Sequence, residues 1–135
     1  MNKVLIDTCA WIDFLRSEEG LLGNYVTSLI ENDRALLCGV TITELLQGAK
    51  GKKEKQQLEF LFSGVETLDT NRKDWIDAGL YLQNLRSKGI TLPVTDALIA
   101  MLAIRHLVPV LTIDKHFDHL SVSVINPVVD KHHKL

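Results

Sequence analysis

The chain has only two cysteines, Cys9 and Cys38. Both sit in apolar surroundings with no CxxC spacing and no neighbouring histidine pair, which excludes a zinc or redox motif at either. They read as buried thiols. Long hydrophobic runs are also missing. The longest uninterrupted apolar stretch, Ala97 to Ile104, falls far short of the ~18 residues of a spanning helix. Asp7 and Asp13 break the N-terminal apolar run before a signal-peptide core can form, so a cytosolic protein away from the membrane is expected. No GxGxxG or Walker-type glycine loop occurs, so nucleotide cradling has no support. Nor is there an excess of one charge. A formal net charge of −2 gives no global pull toward nucleic acid and leaves any such function to local patches. One patch exists, Lys50, Lys52, Lys53 and Lys55 in GAKGKKEK, which is either a solvated helix junction or a phosphate-contacting edge.

What remains is an ordinary globular composition. At 135 residues, with 46% hydrophobic and 24% charged, the chain can bury one core, and a single domain is expected over residues 1–129, followed by a polar, frayed tail at 130–135. Residues 3–6 read as a short buried strand, and Trp11, Ile12, Phe14 and Leu15 give helical spacing immediately after it. Leu22, Tyr25, Val26, Leu29 and Ile30 recur at threes and fours across 21–31, an amphipathic face that either packs on its own core or forms a dimer surface. A second strand follows at 35–38, a helix at 41–49, a bend marked by Gly48, Gly51 and the lysines, and a helix at 56–62. A third strand at 65–68 leads to a helix capped by Asp69 or Thr70, with Trp75, Ala78, Leu82 and Leu85 on one face. Residues 92–95 form a turn into a nearly all-apolar, buried helix at 96–106. A strand at 110–113, a short helix at 114–120 and a possible edge strand at 122–125 complete the pattern. Strands alternating with helices predict a parallel sheet with helices on both faces.

Four carboxylates punctuate this pattern. Asp7 follows Val4-Leu5-Ile6, Glu44 comes shortly after Leu36-Leu37-Cys38, Asp96 opens the apolar helix, and Asp114 follows Val110-Leu111-Thr112-Ile113. Residues just past the carboxyl ends of parallel strands converge on one crevice in open α/β sheets. Each acid also has a plainer account. Asp7, Asp96 and Asp114 stand where an N-cap gains about 1 kcal/mol, and Thr41 to Glu44 has the spacing of a capping box. Yet Asp7 and Asp96 are embedded among core residues, where an unpaired carboxylate costs several kcal/mol, and Thr8 and Thr95 beside them already offer capping hydroxyls. A bound cation relieves such a cluster. Oxygen ligands without cysteine or histidine partners favour Mg²⁺ or Mn²⁺ over Zn²⁺. Such a site suits phosphodiester hydrolysis, with Asp7, Asp96 and Asp114 as direct ligands and Glu44 holding the ion through water or orienting the attacking water. Thr8 and Thr112 read either as simple strand or cap threonines or as partners that position these carboxylates or a scissile phosphate. Five histidines lie toward the C-terminus. His116 and His119 have i, i+3 spacing but no third ligand in view, and they read as a partly exposed surface pair.

These segments give the chain a specific likeness. VLIDTCAWIDFL, TITELLQG, LPVTDALIAMLAI and VLTIDKHFDHL, in this order and spacing, resemble the PIN-domain ribonucleases, in particular the VapC-type toxins of toxin–antitoxin modules, and the resemblance runs nearly end to end. It implies a PIN-like three-layer α/β/α fold with a short, mainly parallel central sheet. It maps the family's acidic quartet onto Asp7, Glu44, Asp96 and Asp114. It further implies a Mg²⁺- or Mn²⁺-dependent endoribonuclease that cuts RNA such as tRNA or rRNA and arrests translation. The implied partners are a second copy of the chain and a VapB-type antitoxin laid across the active-site groove. The sequence departs from the pattern at Cys9, where relatives often carry Ser or Asn. The fourth acidic position varies most in the family, and Asp118, one helical turn beyond Asp114, is positioned to share or replace its role.

Other functions fit less well. A catalytically silent binding module of the same fold would usually lack an acid. A phosphatase of the haloacid-dehalogenase type needs a DxD arrangement where Asp7-Thr8-Cys9 stands, and a receiver-like domain needs an acid pair there.

Overall fold

The computed structural model describes residues 2–17 and 19–130. The expected polar tail therefore lies almost wholly outside the described residues.

The element order is β1 (Val4–Ile6), α1 (Thr8–Arg16), α2 (Leu21–Glu31), β2 (Ala35–Cys38), α3 (Gly39–Gln47), α4 (Gly51–Gly64), β3 (Glu66–Leu68), α5 (Arg72–Ser87), α6 (Val94–His106), β4 (Val110–Leu111), a 3-10 helix (Lys115–His119), β5 (Val124–Ile125) and α7 (Pro127–Asp130). The five strands form one sheet in the order β3-β2-β1-β4-β5, and every pairing is parallel. Strands buried on both faces need apolar residues at every position, which is why β1, β2 and β4 read as unbroken apolar runs. Alternation along them divides the core in two. Leu5, Leu36, Cys38 and Val110 pack with α5 and α6, whereas Val4, Ile6, Ala35, Leu37 and Leu111 pack with the helices of the opposite face.

The strand order places a switch point at β1. The chain winds outward from β1 through β2 to β3, then returns to the other side of β1 for β4 and β5. Ligand crevices in open α/β sheets open at such a reversal, outside the carboxyl ends of the strands. Here that position is flanked by residue 7 just past β1 and residues 112–114 just past β4.

The helices are arranged to serve this frame. In α2, Leu22, Val26 and Leu29 are buried against α1, so this amphipathic face packs on its own core. Asp13 makes the α1–α2 corner by accepting a 2.7 Å hydrogen bond from the Gly23 backbone, and a Cβ at Gly23 would lie 3.0 Å from the Phe14 backbone. In α6, every residue from Ala97 to Ala103 is buried, as an all-round apolar helix requires.

Several local expectations are corrected. The lysines do not mark a bend before 56, because α4 already begins at Gly51, with Lys50 as its N-cap residue. The cap of α5 is neither Asp69 nor Thr70 but Asn71, which forms a reciprocal capping box with Asp74. Trp75 faces outward, and the buried member of that turn is Asp74, forked by Arg105 at 2.8 and 2.9 Å. The helix expected from Asp96 starts two residues earlier, at Val94. The strand expected at 110–113 narrows to Val110–Leu111, and the last short helix is a 3-10 turn.

Candidate active site

Asp7 and Asp114 behave as the capping account requires. The Asp7 carboxylate accepts from the Thr8 N–H at 2.8 Å at the start of α1, and Asp114 Oδ1 accepts from the His116 N–H at 2.9 Å at the start of the 3-10 helix. Capping does not explain the other two. Asp96 lies inside the first turn of α6, whose N-cap is Pro93, and makes no capping bond. Glu44 lies in the body of α3, whose N-cap is Cys38, so the Thr41–Glu44 capping box does not form.

A continuous chain of hydrogen bonds joins all four acids. The Thr8 hydroxyl does not cap a helix; it donates to Glu44 Oε1 at 2.6 Å. Thr8 adjoins Asp7, whose Oδ2 accepts from the Thr112 hydroxyl at 2.7 Å. The same Thr112 oxygen accepts from the Asp114 N–H at 3.0 Å. His116 Nδ1 then lies 2.7 Å from Asp96 Oδ2 and 3.3 Å from Asp114 Oδ1. The fold dictates these meetings. Residues 5 and 7, like 110 and 112, share one side of the sheet by strand alternation, and that side is the one α6 covers. Thr112 is fully buried and spans the gap between β1 and β4 at the switch point.

The electrostatics follow from burial and crowding. Burial pushes the Asp7 carboxyl above the usual carboxylate range, and the charge of Asp96 adds to the rise, against the bonds from Thr112, Thr8 and Cys9 that hold it down. Asp96 is raised first by burial and then by the charges of Asp114 and Glu44, with His116 opposing. The charge of Asp96 is thus felt at Asp7, and those of Asp114 and Glu44 at Asp96. The bond to Asp96 lifts the His116 imidazole. Cys9, whose Sγ lies 3.6 Å from both Asp7 Oδ2 and Thr112 Oγ1, is held in the thiol form by burial and by the Asp7 charge.

The donor set fits a divalent cation. Among the described residues, ligand atoms of Asp96, Asp114 and His116 all lie within 4.8 Å of one another. Asp7 and Glu44 stand outside that group of three. His116 is the member that the sequence reading assigned to the surface, and its side chain is indeed 46% exposed, but its ring nitrogen turns inward to the acids. The available signal was its place two residues after Asp114, on the same segment leaving β4. Its i, i+3 partner His119 is exposed. Asp118 is exposed as well, because in a 3-10 helix residues three apart eclipse, not those four apart.

Lys50, Lys52, Lys53 and Lys55 at the start of α4 are exposed, while Glu54 among them pairs with Arg16 at 2.8 Å. No helix among the described residues is long and apolar enough to cross a membrane.

Comparison with known proteins places this geometry. The profile of the PIN domain matches residues 4–122. Ribonuclease VapC11 of Mycobacterium tuberculosis is 32% identical over 121 residues, covering 85% of this chain and 89% of that protein. In fold, the chain is similar to VapBC2 from Rickettsia felis, solved bound to a DNA fragment from the promoter, with a TM-score of 0.76 at 22% identity, covering 91% of this chain and 97% of that one. It is equally similar to VapBC-1 from nontypeable Haemophilus influenzae, with a TM-score of 0.76 at 22% identity, covering 93% and 98%.

Proposed function

The chain belongs to the PIN-domain family, and on that premise we propose that it is a metal-dependent endoribonuclease, the toxin of a toxin–antitoxin pair. The observation that carries this function is the hydrogen-bonded chain from Glu44 through Thr8, Asp7, Thr112, Asp114 and His116 to Asp96, lying outside the carboxyl ends of β1 and β4. A silent binding module has no use for four partly buried acids linked in this way, so the nuclease is preferred.

In this proposal Asp7, Asp96 and Asp114 hold Mg²⁺ or Mn²⁺. When bound, the ion supplies the charge that lowers the pKa of an attacking water and offsets charge on the leaving oxygen. Glu44, steadied by the Thr8 hydroxyl, orients that water and takes its proton, or shares the ion through a water. Thr112 fixes the Asp7 carboxylate and the backbone of Asp114 together, so both acids keep one geometry without rearrangement during the reaction. Lys52, Lys53 and Lys55, exposed at the start of α4, offer an edge for RNA phosphates.

Residues 1–129 act as one nuclease unit, a view supported by the two cores on the faces of a single sheet. The substrate is a cellular RNA of the tRNA or rRNA class, and the site of action is the cytoplasm. The partners are a second copy of the chain and a VapB-type antitoxin; the antitoxin is supported by the likeness in fold to the VapBC structures and to a toxin–antitoxin complex from Klebsiella pneumoniae.

The test is cleavage of total cellular RNA by antitoxin-free protein, with Asp96→Asn purified in parallel. Cleavage by the wild type alone, dependent on Mg²⁺ or Mn²⁺ and stopped by EDTA, is expected. Equal cleavage by Asp96→Asn removes the acid site from the mechanism. A wild type that binds metal without cutting points to a selective substrate, and one that neither cuts nor binds metal returns the fold to a binding role.

A further inference from the structure

The 3-10 helix that carries His116 is held unusually firmly for so short an element. Its five residues make too few backbone bonds to be stable alone. Phe117 and Leu120 anchor it, both buried in the core cluster that includes α6. Asp114 closes its first turn, accepting the His116 N–H through its side chain and the Phe117 N–H, at 3.3 Å, through its backbone carbonyl. The backbone of His116 is thus fixed by packing on one side and by a capping acid on the other. Its ring nitrogen is left pointing between Asp96 and Asp114.

The spacing of these atoms matches a coordination set. Two adjacent ligands at 2.0–2.2 Å from a common ion are separated by about 3 Å. His116 Nδ1 lies 2.7 Å from Asp96 Oδ2 and 3.3 Å from Asp114 Oδ1. Accepting an ion there requires only that Nδ1 release its proton and the ring keep its place.

We propose that His116 is a further ligand of the catalytic ion, binding through Nδ1 beside Asp96 and Asp114, and that it makes the site select Mn²⁺ over Mg²⁺. This rests on the nuclease function proposed above and adds to it the identity of the ion. Mg²⁺ demands oxygen ligands in near-ideal octahedral geometry and parts reluctantly with its waters, so a nitrogen donor adds little to its binding. First-row transition ions accept imidazole, and the same donor adds affinity for them.

The experiment compares the wild type with His116→Ala, titrating each with Mn²⁺ and with Mg²⁺ by calorimetry, and records pulsed electron paramagnetic resonance of each Mn²⁺-loaded protein. Loss of an exposed histidine leaves the core intact, and circular dichroism checks this. The expected result is tighter binding of Mn²⁺ than of Mg²⁺ by the wild type, with a ¹⁴N coupling in its Mn²⁺ spectrum. His116→Ala is expected to lose that coupling and to weaken Mn²⁺ by about tenfold or more, with a smaller effect on Mg²⁺. A wild-type spectrum without ¹⁴N coupling overturns the proposal. So does unchanged or tighter Mn²⁺ binding by His116→Ala, since His116 would then be an internal cation that the metal displaces. If the wild type still binds metal and cuts RNA in either case, the nuclease function survives and only the ligand is lost; if it binds neither ion, both fall together.

Discussion

At the scale of single residues, the site trades stability for chemistry. Asp7 is buried with its pKa raised, so the folded protein binds its proton more tightly than the unfolded chain does. Stability in the presence of a chelator should therefore fall as pH rises from the ordinary carboxylate value of 3.8 through the higher folded value, and the full penalty should persist at neutral pH. Asp7→Asn keeps an oxygen that can accept from Thr8 and removes the charge. It is expected to melt higher than the wild type in neutral buffer with EDTA while losing RNA cleavage; a lower melting temperature would show that the charge is not a burden. Thr112 makes the complementary case. Thr112→Val keeps the shape but leaves a buried carboxylate oxygen and the Asp114 N–H without their partner. A 10–100-fold fall in cleavage is expected, with stability reduced by about 1–3 kcal/mol, measured by turnover and urea unfolding on the same preparation.

At the scale of elements, the helices differ in what holds them. The start of α5 depends on Asp74, which completes the capping box with Asn71 and receives the Arg105 fork from α6. Burial alone would raise the Asp74 carboxyl, but the bonds from Arg105 and Asn71 bring it below its usual value. Its contribution is present above pH 3.8 and is lost as pH falls through the lower folded value. Asp74→Ala should cost about 1–2 kcal/mol, because it strips the capping box of α5 and removes the acceptors of the Arg105 fork. The same variant should flatten the acid limb of the stability profile, and an unchanged limb would mean that other carboxylates carry it. The α5–α6 pair was legible from periodicity only in part. Ala78 and Leu85 point inward as their spacing says, whereas Trp75 is turned outward by Asp74, whose partner lies 31 residues away.

At the scale of the whole molecule, the sheet order converts four distant positions into one site. Separations of 36 residues for Thr8 with Glu44 and 105 for Asp7 with Thr112 are closed by strands β1, β2 and β4 lying side by side. An ion that relieves repulsion in this folded cluster has no comparable site in the unfolded chain, so it must stabilise the fold. At a free concentration 100 times its Kd, the gain is about 2.7 kcal/mol. A rise in melting temperature with Mn²⁺ or Mg²⁺ is expected for the wild type, sharply reduced in Asp96→Asn. Equal rises in the two proteins would place the ion elsewhere.

The sequence by itself determined the order of the elements, the burial of β1, β2, β4 and α6, and the setting of acids beside these apolar runs. These depend on local information: unbroken apolar runs can only be buried, and acids set into them must have a reason. Element ends were less legible, as at Gly51 and Val94, because a helix start is decided by a few hydrogen bonds that several neighbouring residues can make. Only the tertiary structure decided how the acids are linked. Whether Thr8 caps a helix or holds Glu44, whether Thr112 bridges two strands, and whether His116 faces solvent or Asp96 depend on which side chains lie across the crevice. Those neighbours are set by the strand order and by the packing of α6 and Phe117, and no periodicity in the chain encodes them.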